Sequence, residues 1–261
     1  MLVGKDVTNV VNANLKVDKW IVKYKQNIHT GEADLEEFYC GLTDIEQTDE
    51  QKYLGFVLSN TGNNMANIRE MKKKSNGVIR STLNKLNSLN LKQYYYYFEC
   101  ALVLMNAMVR SSLLNAADMY YDLKEPELRQ IERIEENYLR QVLKTSKGCP
   151  IIQMYLAIGQ IPARFEIQKM RLLYLKYILH QDSDSLLSKF FYLQLDLPTK
   201  GDWASTCIKD LKELNIEKSM EDIKEMTENE YRKLLKQKVT ESAFSYLINK
   251  KGSKGSENIQ I

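Results

Sequence analysis

Lys52 to Tyr97 reads KYLGFVLSNTGNNMANIREMKKKSNGVIRSTLNKLNSLNLKQYYYY, a stretch that begins as strand and becomes helix. Tyr53-Leu54-Gly55-Phe56-Val57-Leu58 is β-branched and aromatic enough to pair in a sheet. Ser59 to Asn64 then forms a loop ending in good N-cap residues. Ile68, Met71, Ser75, Ile79, Leu83, Leu86 and Asn90 follow at three- and four-residue steps, which predicts a helix with one narrow, mostly apolar face. Lys72, Lys73, Arg80 and Lys85 project elsewhere on that helix.

Charge sets this helix apart. Between Arg69 and Lys92 lie seven cations (Arg69, Lys72, Lys73, Lys74, Arg80, Lys85, Lys92) and one anion, Glu70, a local net of +6 in a chain whose total is +3. Upstream, Glu32 to Gln51 carries eight acids and no cation. A near-neutral total therefore conceals a basic surface able to hold a phosphate backbone, which an even mixture of charges would not provide.

Working outward, 44% hydrophobic and 27% charged residues in 261 positions describe a globular chain able to bury one large core or two modest ones. Gly (11) and Pro (4) are scarce, which favours long helices over a many-stranded sandwich. Cys40, Cys100, Cys149 and Cys207 are far apart with no Cys-x-x-Cys pair, so reduced thiols are expected rather than a zinc site or a disulfide framework. No apolar run reaches the roughly 18 residues of a membrane span, and Met1-Leu2-Val3-Gly4 leads into polar sequence without a signal-peptide pattern. An intracellular protein without a membrane partner is expected.

Met1 to Val3 reads as the end of a strand, followed by a helix capped at Asp6 or Thr8 and running to about Gln26, with Trp20 beside its apolar side. Phe38-Tyr39-Cys40 and Thr43-Asp44-Ile45-Glu46 flank Gly41-Leu42 as a hairpin, and Tyr53 to Leu58 adds a further strand. After the basic helix, Ser88 to Leu91 turns into a second helix carrying Phe98, Leu102, Met105, Val109 and Leu113. A third follows Pro126 with Leu128, Ile131, Ile134, Tyr138 and Val142 on one face, and ends at Ser146 to Pro150. Pro150 opens a short helix closed by Gly159. Pro162 opens a longer, nearly continuously apolar one through Leu179, expected to be buried. Further helices are expected over Asp184 to Leu193, Asp202 to Leu214 and Thr227 to about Asn249, with a loose basic tail beyond.

Signatures of catalysis are sparse. His29 and His180 are distant and lack metal-ligand spacing, and Gly252 to Ser256 lacks the strand and glycine spacing of a phosphate loop. Tyr94 to Tyr97 must point around a whole helical circumference, so some rings pack while at least one faces a groove or solvent, where it can stack on a base or sugar.

The order of these motifs resembles the reverse transcriptases of eukaryotic non-LTR (LINE-type) retrotransposons, from the end of the palm through the thumb and beyond. Lys52 to Leu58, the basic helix with its Ile-x-x-Met, the apolar helix, Glu132-Arg133-Ile134-Glu135-Glu136-Asn137-Tyr138-Leu139-Arg140, and Leu156-Ala157-Ile158-Gly159-Gln160-Ile161-Pro162 carry the likeness. It is strongest from Lys52 to Leu179 and weak after Gly201.

The resemblance implies a mainly α chain: a helical thumb-like bundle with a small antiparallel β element as palm remnant and a C-terminal helical region. Its parts would be a palm remnant over 1–60, a three-helix thumb over 61–148 and a post-thumb region over 149–261. Tyr53, Leu54 and Gly55 match the family's primer-grip hairpin, and Arg69 to Lys85 match the thumb helix along the RNA/DNA template–primer duplex. The implied binding residues are Tyr53, Leu54, Gly55, Arg69, Lys72, Lys73, Lys74, Arg80, Lys85 and Lys92. The family places a lysine near Asp34, where this chain has an acid. It also holds Mg2+ on paired aspartates that do not occur in this sequence, and nucleotidyl transfer needs two metals about 4 Å apart on carboxylates. The chain alone is therefore expected to carry no cofactor and no polymerase activity, with fingers and catalytic palm as further partners. Two other readings stay open: a helical protein-interaction module, and a retroelement remnant without nucleic-acid binding.

Overall fold

A computed structural model of the chain describes residues 39–40, 43–44, 49–53, 56–59, 64–89, 94–198 and 201–255. It is mainly α-helical, with short antiparallel strand pairs preceding the helices. β1 (Tyr39–Cys40) pairs with β2 (Thr43–Asp44), the hairpin expected around Gly41-Leu42. β3 (Glu50–Tyr53) pairs with β4 (Phe56–Ser59), placing Tyr53 opposite Phe56 and Glu50 opposite Ser59. The single strand expected from Tyr53 to Leu58 is thus corrected to two. Its first arm is Glu50-Gln51-Lys52-Tyr53, whose three leading residues are polar and are passed over by a search for apolar strands. The expected strand at Met1, the helix from Asp6 to Gln26, His29 and Asp34 lie outside the described residues.

The chain divides into two compact units, Met1–Ala66 and Asn67–Ile261. The second contains nearly all the described helix, and the expected boundary at residues 148–149 falls inside it. α1 (Met65–Ser88) and α2 (Tyr94–Leu104) come first. α2 continues through a π-helical segment, Met105–Arg110, into an α turn, Ser111–Leu113, and a 3-10 turn at Ala117–Met119. Then follow α3 (Glu125–Leu143), α4 (Ile151–Ile158), α5 (Ala163–Leu179), α6 (Leu186–Asp196), α7 (Trp203–Glu213), α8 (Met220–Glu225) and α9 (Glu228–Gly255).

The helix borders follow local chemistry. Pro126 sits in the first turn of α3, where Glu127 reaches back to accept the Lys124 N–H at 2.8 Å. Gly159 closes α4 at φ +64, a left-handed conformation in which any side chain is strained. Asp202 and Ser219 cap α7 and α8 through the N–H groups of Ser205 and Asp222. α9 runs through Gly255, beyond the helix end expected near Asn249.

α5 is the hub. It packs against α3, α6, α7, α8, α9 and the Ala117–Met119 turn, and its Leu172, Leu175, Ile178 and Leu179 meet Phe191, Cys207, Leu211, Tyr231 and Leu235 in one core. The burial expected from its composition is present, but two charges are buried with it. Arg171 donates to Asp210 at 2.5 Å and to the Tyr120 carbonyl at 2.7 Å, and Lys176 donates to the Ile223 and Met226 carbonyls at 2.7 and 2.6 Å. Burying a charge requires such partners. Cys207 is buried, Cys100 and Cys149 are half-buried, and all three are free thiols. No described helix is long and apolar enough to cross a membrane.

Candidate nucleic-acid interface

α1 is anchored by the stripe its periodicity predicts. Ile68, Met71, Ser75, Ile79 and Leu86 are buried, Leu83 is half-buried, and Thr82 is buried as well. Three polar contacts tie this face to the following segments. The Asn67 amide donates to the Tyr120 hydroxyl at 2.6 Å, the hydroxyls of Ser75 and Ser112 lie 3.5 Å apart, and Thr82 points its hydroxyl at the Met108 sulfur at 3.7 Å. The buried serine and threonine thus have partners, and the helix is held at a defined rotation.

That rotation decides where the cations go. Arg69, Lys72, Lys73, Lys74, Arg80 and Lys85 are all exposed. At 3.6 residues per turn, Arg69, Lys73 and Arg80 fall within about 40° of one another, with Lys72 about 60° from Arg69. Lys74 and Lys85 lie on the opposite flank of the buried stripe, roughly 120–140° from Arg80. The six cations therefore form two flanks. The first, from Arg69 to Arg80, is about 16 Å long at 1.5 Å per residue, the axial length of roughly five nucleotides of one strand.

These side chains differ from one set of cations elsewhere. Lys72, Lys73, Lys74, Arg80 and Lys85 form no ion pair among the described residues. By contrast Arg110, Arg129, Arg164, Lys169, Arg171 and Arg232 are each paired with a carboxylate. The charge of these five side chains is therefore not neutralised by ion pairs among the described residues.

Beside the first flank lies a groove of about 530 Å³ between α1, α2 and α3. α1 contributes Asn76, Arg80, Asn84 and Asn87, α2 contributes Tyr97, and α3 contributes Asn137, Gln141 and Lys144, over a floor of Ile79 and Leu83. No carboxylate lines it. Its carboxamides both donate and accept, which suits sugar hydroxyls and base edges, while Arg80 and Lys144 suit phosphate. Gln141 donates to the Asn137 side chain at 3.2 Å, and Lys144 occupies the left-handed C-cap of α3 at φ +50. Tyr97 brings a ring from the tyrosine run to this groove, and Tyr96 is exposed.

Tyr53 ends β3 in the first unit. Leu54, Gly55 and Lys92 lie outside the described residues.

A buried charged frame behind α3, which the sequence reading did not identify, positions the helices. Glu135 accepts from Arg110 at 2.7 Å through one oxygen, and from the Tyr155 hydroxyl at 2.6 Å and the Ala163 N–H at 3.1 Å through the other. Arg110 also donates to Gln160 at 3.0 Å and to the Ile161 carbonyl at 2.5 Å. Burial pulls the Arg110 pKa down, but Glu135 overrides it and holds it above the usual value; burial and the same carboxylate push the Tyr155 hydroxyl well up. Arg164 bridges Glu132 at 2.5 Å and Glu125 at 2.9 Å. The available signal was charge at core positions, since Glu132 and Glu135 each follow a stripe residue, Ile131 and Ile134.

Among the described residues no cluster of His, Cys, Asp and Glu could hold a metal ion. Comparison with known proteins finds no matching family model, no matching curated protein and no matching solved structure.

Proposed function

We propose that this chain binds an RNA/DNA template–primer duplex through the Arg69, Lys72, Lys73 and Arg80 flank of α1, as a thumb-containing part of a LINE-type reverse transcriptase without its catalytic centre. The observation that carries this reading is the set of exposed α1 side chains Lys72, Lys73 and Arg80, which pair with no described carboxylate. The carboxamide groove beside them supports it, because it offers neutral hydrogen-bonding groups next to phosphate-binding charges.

Binding of this kind is sequence-independent and salt-sensitive. About four phosphate contacts give a log K against log salt slope near −3 to −4. Replacing Lys73 and Arg80 by alanine lowers affinity and removes about two units of slope. The Lys74→Ala, Lys85→Ala double variant, of equal charge change but on the other flank, keeps the parental slope. Fluorescence anisotropy with a labelled primer–template over a salt series measures both. Equal behaviour of the two double variants refutes the assignment to one flank, and absence of salt-sensitive binding refutes nucleic-acid binding itself. Nucleotide incorporation by the chain alone with magnesium would overturn the non-catalytic reading.

A second reading, a helical protein-interaction module, draws on α6. Leu186 is 83% exposed, and Phe190, Leu193 and Leu197 are exposed too. Apolar patches of this kind mark contact surfaces or association. Gel filtration at two concentrations separates the two: a concentration-dependent size together with no duplex binding favours it.

A further inference from the structure

The Gly159-Gln160-Ile161 passage, which the duplex reading leaves unused, forms part of the wall of a second cavity of about 340 Å³, opposite one face of α9. Four cations line it: Arg110, Lys169, Arg232 and Lys236. The lining has one carboxylate, Glu166, which is already paired with Lys169 and lies 3.9 Å from Arg110. Leu173 and Phe244 supply an apolar wall, backed by the buried Leu235 and Val239.

Charge pairing identifies the kind of occupant. Arg110 is balanced by Glu135, Lys169 by Glu166 and Arg232 by Glu228 at 2.6 Å. Lys236 pairs with no described carboxylate, which leaves the cavity with one unbalanced positive charge. Arg110 adds donors as well as charge. Of its five N–H groups, three are committed to Glu135, Gln160 and Ile161, leaving one on each terminal nitrogen. No described hydrogen bond uses either of these two N–H groups, and Glu166 stands 3.9 Å from one terminal nitrogen, beyond hydrogen-bond reach. The volume is at the small end of ligand sites.

We infer that this cavity binds a small organic monoanion, a carboxylate on a compact aromatic or branched apolar body, with the head on Lys236 and Arg110 and the body against Leu173 and Phe244. The inference is independent of duplex binding, since this cavity and the α1 groove share no residue.

Benzoate, acetate and benzyl alcohol test it, titrated into the full chain by calorimetry or by amide chemical shifts. Benzoate saturates at millimolar concentration, whereas acetate, lacking the body, and benzyl alcohol, lacking the charge, each bind at least tenfold more weakly. Lys236→Met weakens benzoate at least tenfold. Lys233→Met, an exposed neighbour outside the cavity, leaves it unchanged, and circular dichroism confirms that both variants are folded. The proposal is overturned by benzoate failing to saturate, by acetate matching benzoate, or by the two lysine variants behaving alike. Displacement of benzoate by a primer–template would also overturn it, assigning these cations to the nucleic-acid surface.

Discussion

Neutralising Glu135 should be among the most damaging single changes available in this protein, and the structure says why in detail. Its two oxygens accept from Arg110, the Tyr155 hydroxyl and the Ala163 N–H, joining four segments of the second unit. Glu135→Gln keeps the volume but replaces one oxygen with NH2. Whichever way the amide is placed, that group confronts an N–H that cannot rotate into an acceptor, from Arg110 or from Ala163. The substitution also strands the Arg110 charge in a buried site. Breaking one half of a buried pair costs about 3–5 kcal/mol, a large part of the roughly 5–15 kcal/mol that holds a typical domain folded. With a urea m-value near 3 kcal/mol/M, the unfolding midpoint falls by roughly 1–2 M. Far-ultraviolet circular dichroism follows the transition, because the described helix lies almost wholly in the second unit. A double-mutant cycle with Arg110→Met should give a coupling of about 2 kcal/mol, since removing both partners leaves no stranded charge. A midpoint within about 0.2 M of the parent, or an additive cycle, refutes the reasoning.

Gly77 lies exposed inside α1 with nothing within 4 Å of an added Cβ. Gly77→Ala should therefore raise stability by about 1 kcal/mol, read as a higher midpoint in the same titration. Asp210 offers a pH test. Burial, opposed by Arg171, pushes its carboxyl up to about 6. With the folded value above the unfolded value of about 3.9, the folded state holds the extra proton between them, so this group's contribution to stability falls as pH rises from about 4 to about 6. The decline approaches 1.4 kcal/mol per pH unit at its steepest. Asp210→Asn should remove it, as denaturant titrations across that range would show, and an unchanged pH profile in the variant would exclude Asp210 as its source.

Most helices were legible because each pairs a periodic apolar stripe with an explicit stop or start, such as Pro126, Gly159 or Asp202. α8 was missed although Ser219 and Asp222 form a capping box, because six residues are too few to display a period. Thr82 was missed because burial of a hydroxyl depends on what faces it, here Met108. The site was legible in part. Exposure of the α1 cations follows from the stripe, and their division into two flanks follows from the helical angle alone. The groove did not follow, because Asn137, Gln141 and Lys144 reach it from α3, more than 40 residues along the chain from Asn87, and nothing local announces that meeting. The buried charges were obscured for the same reason, since Glu135 reads as surface until Arg110 and Ala163 are placed around it.

The π-helical segment Met105–Arg110 has an evolutionary implication. Its wider hydrogen-bonded ring accommodates one residue more than an α turn, as if a single codon had been inserted into a straight helix. Removing one residue there would wind the segment back to α and leave the two flanks in nearly their present rotation, because the wider turn already absorbs the extra residue. The faces carrying Ala101 and Leu113, both buried, would stay directed at their present neighbours. The same deletion in the regular part of α2 would turn one side by about 100° relative to the other. Drift in length is thus confined to this point: the helix can lose a position here and keep both ends in place, and nowhere else along it.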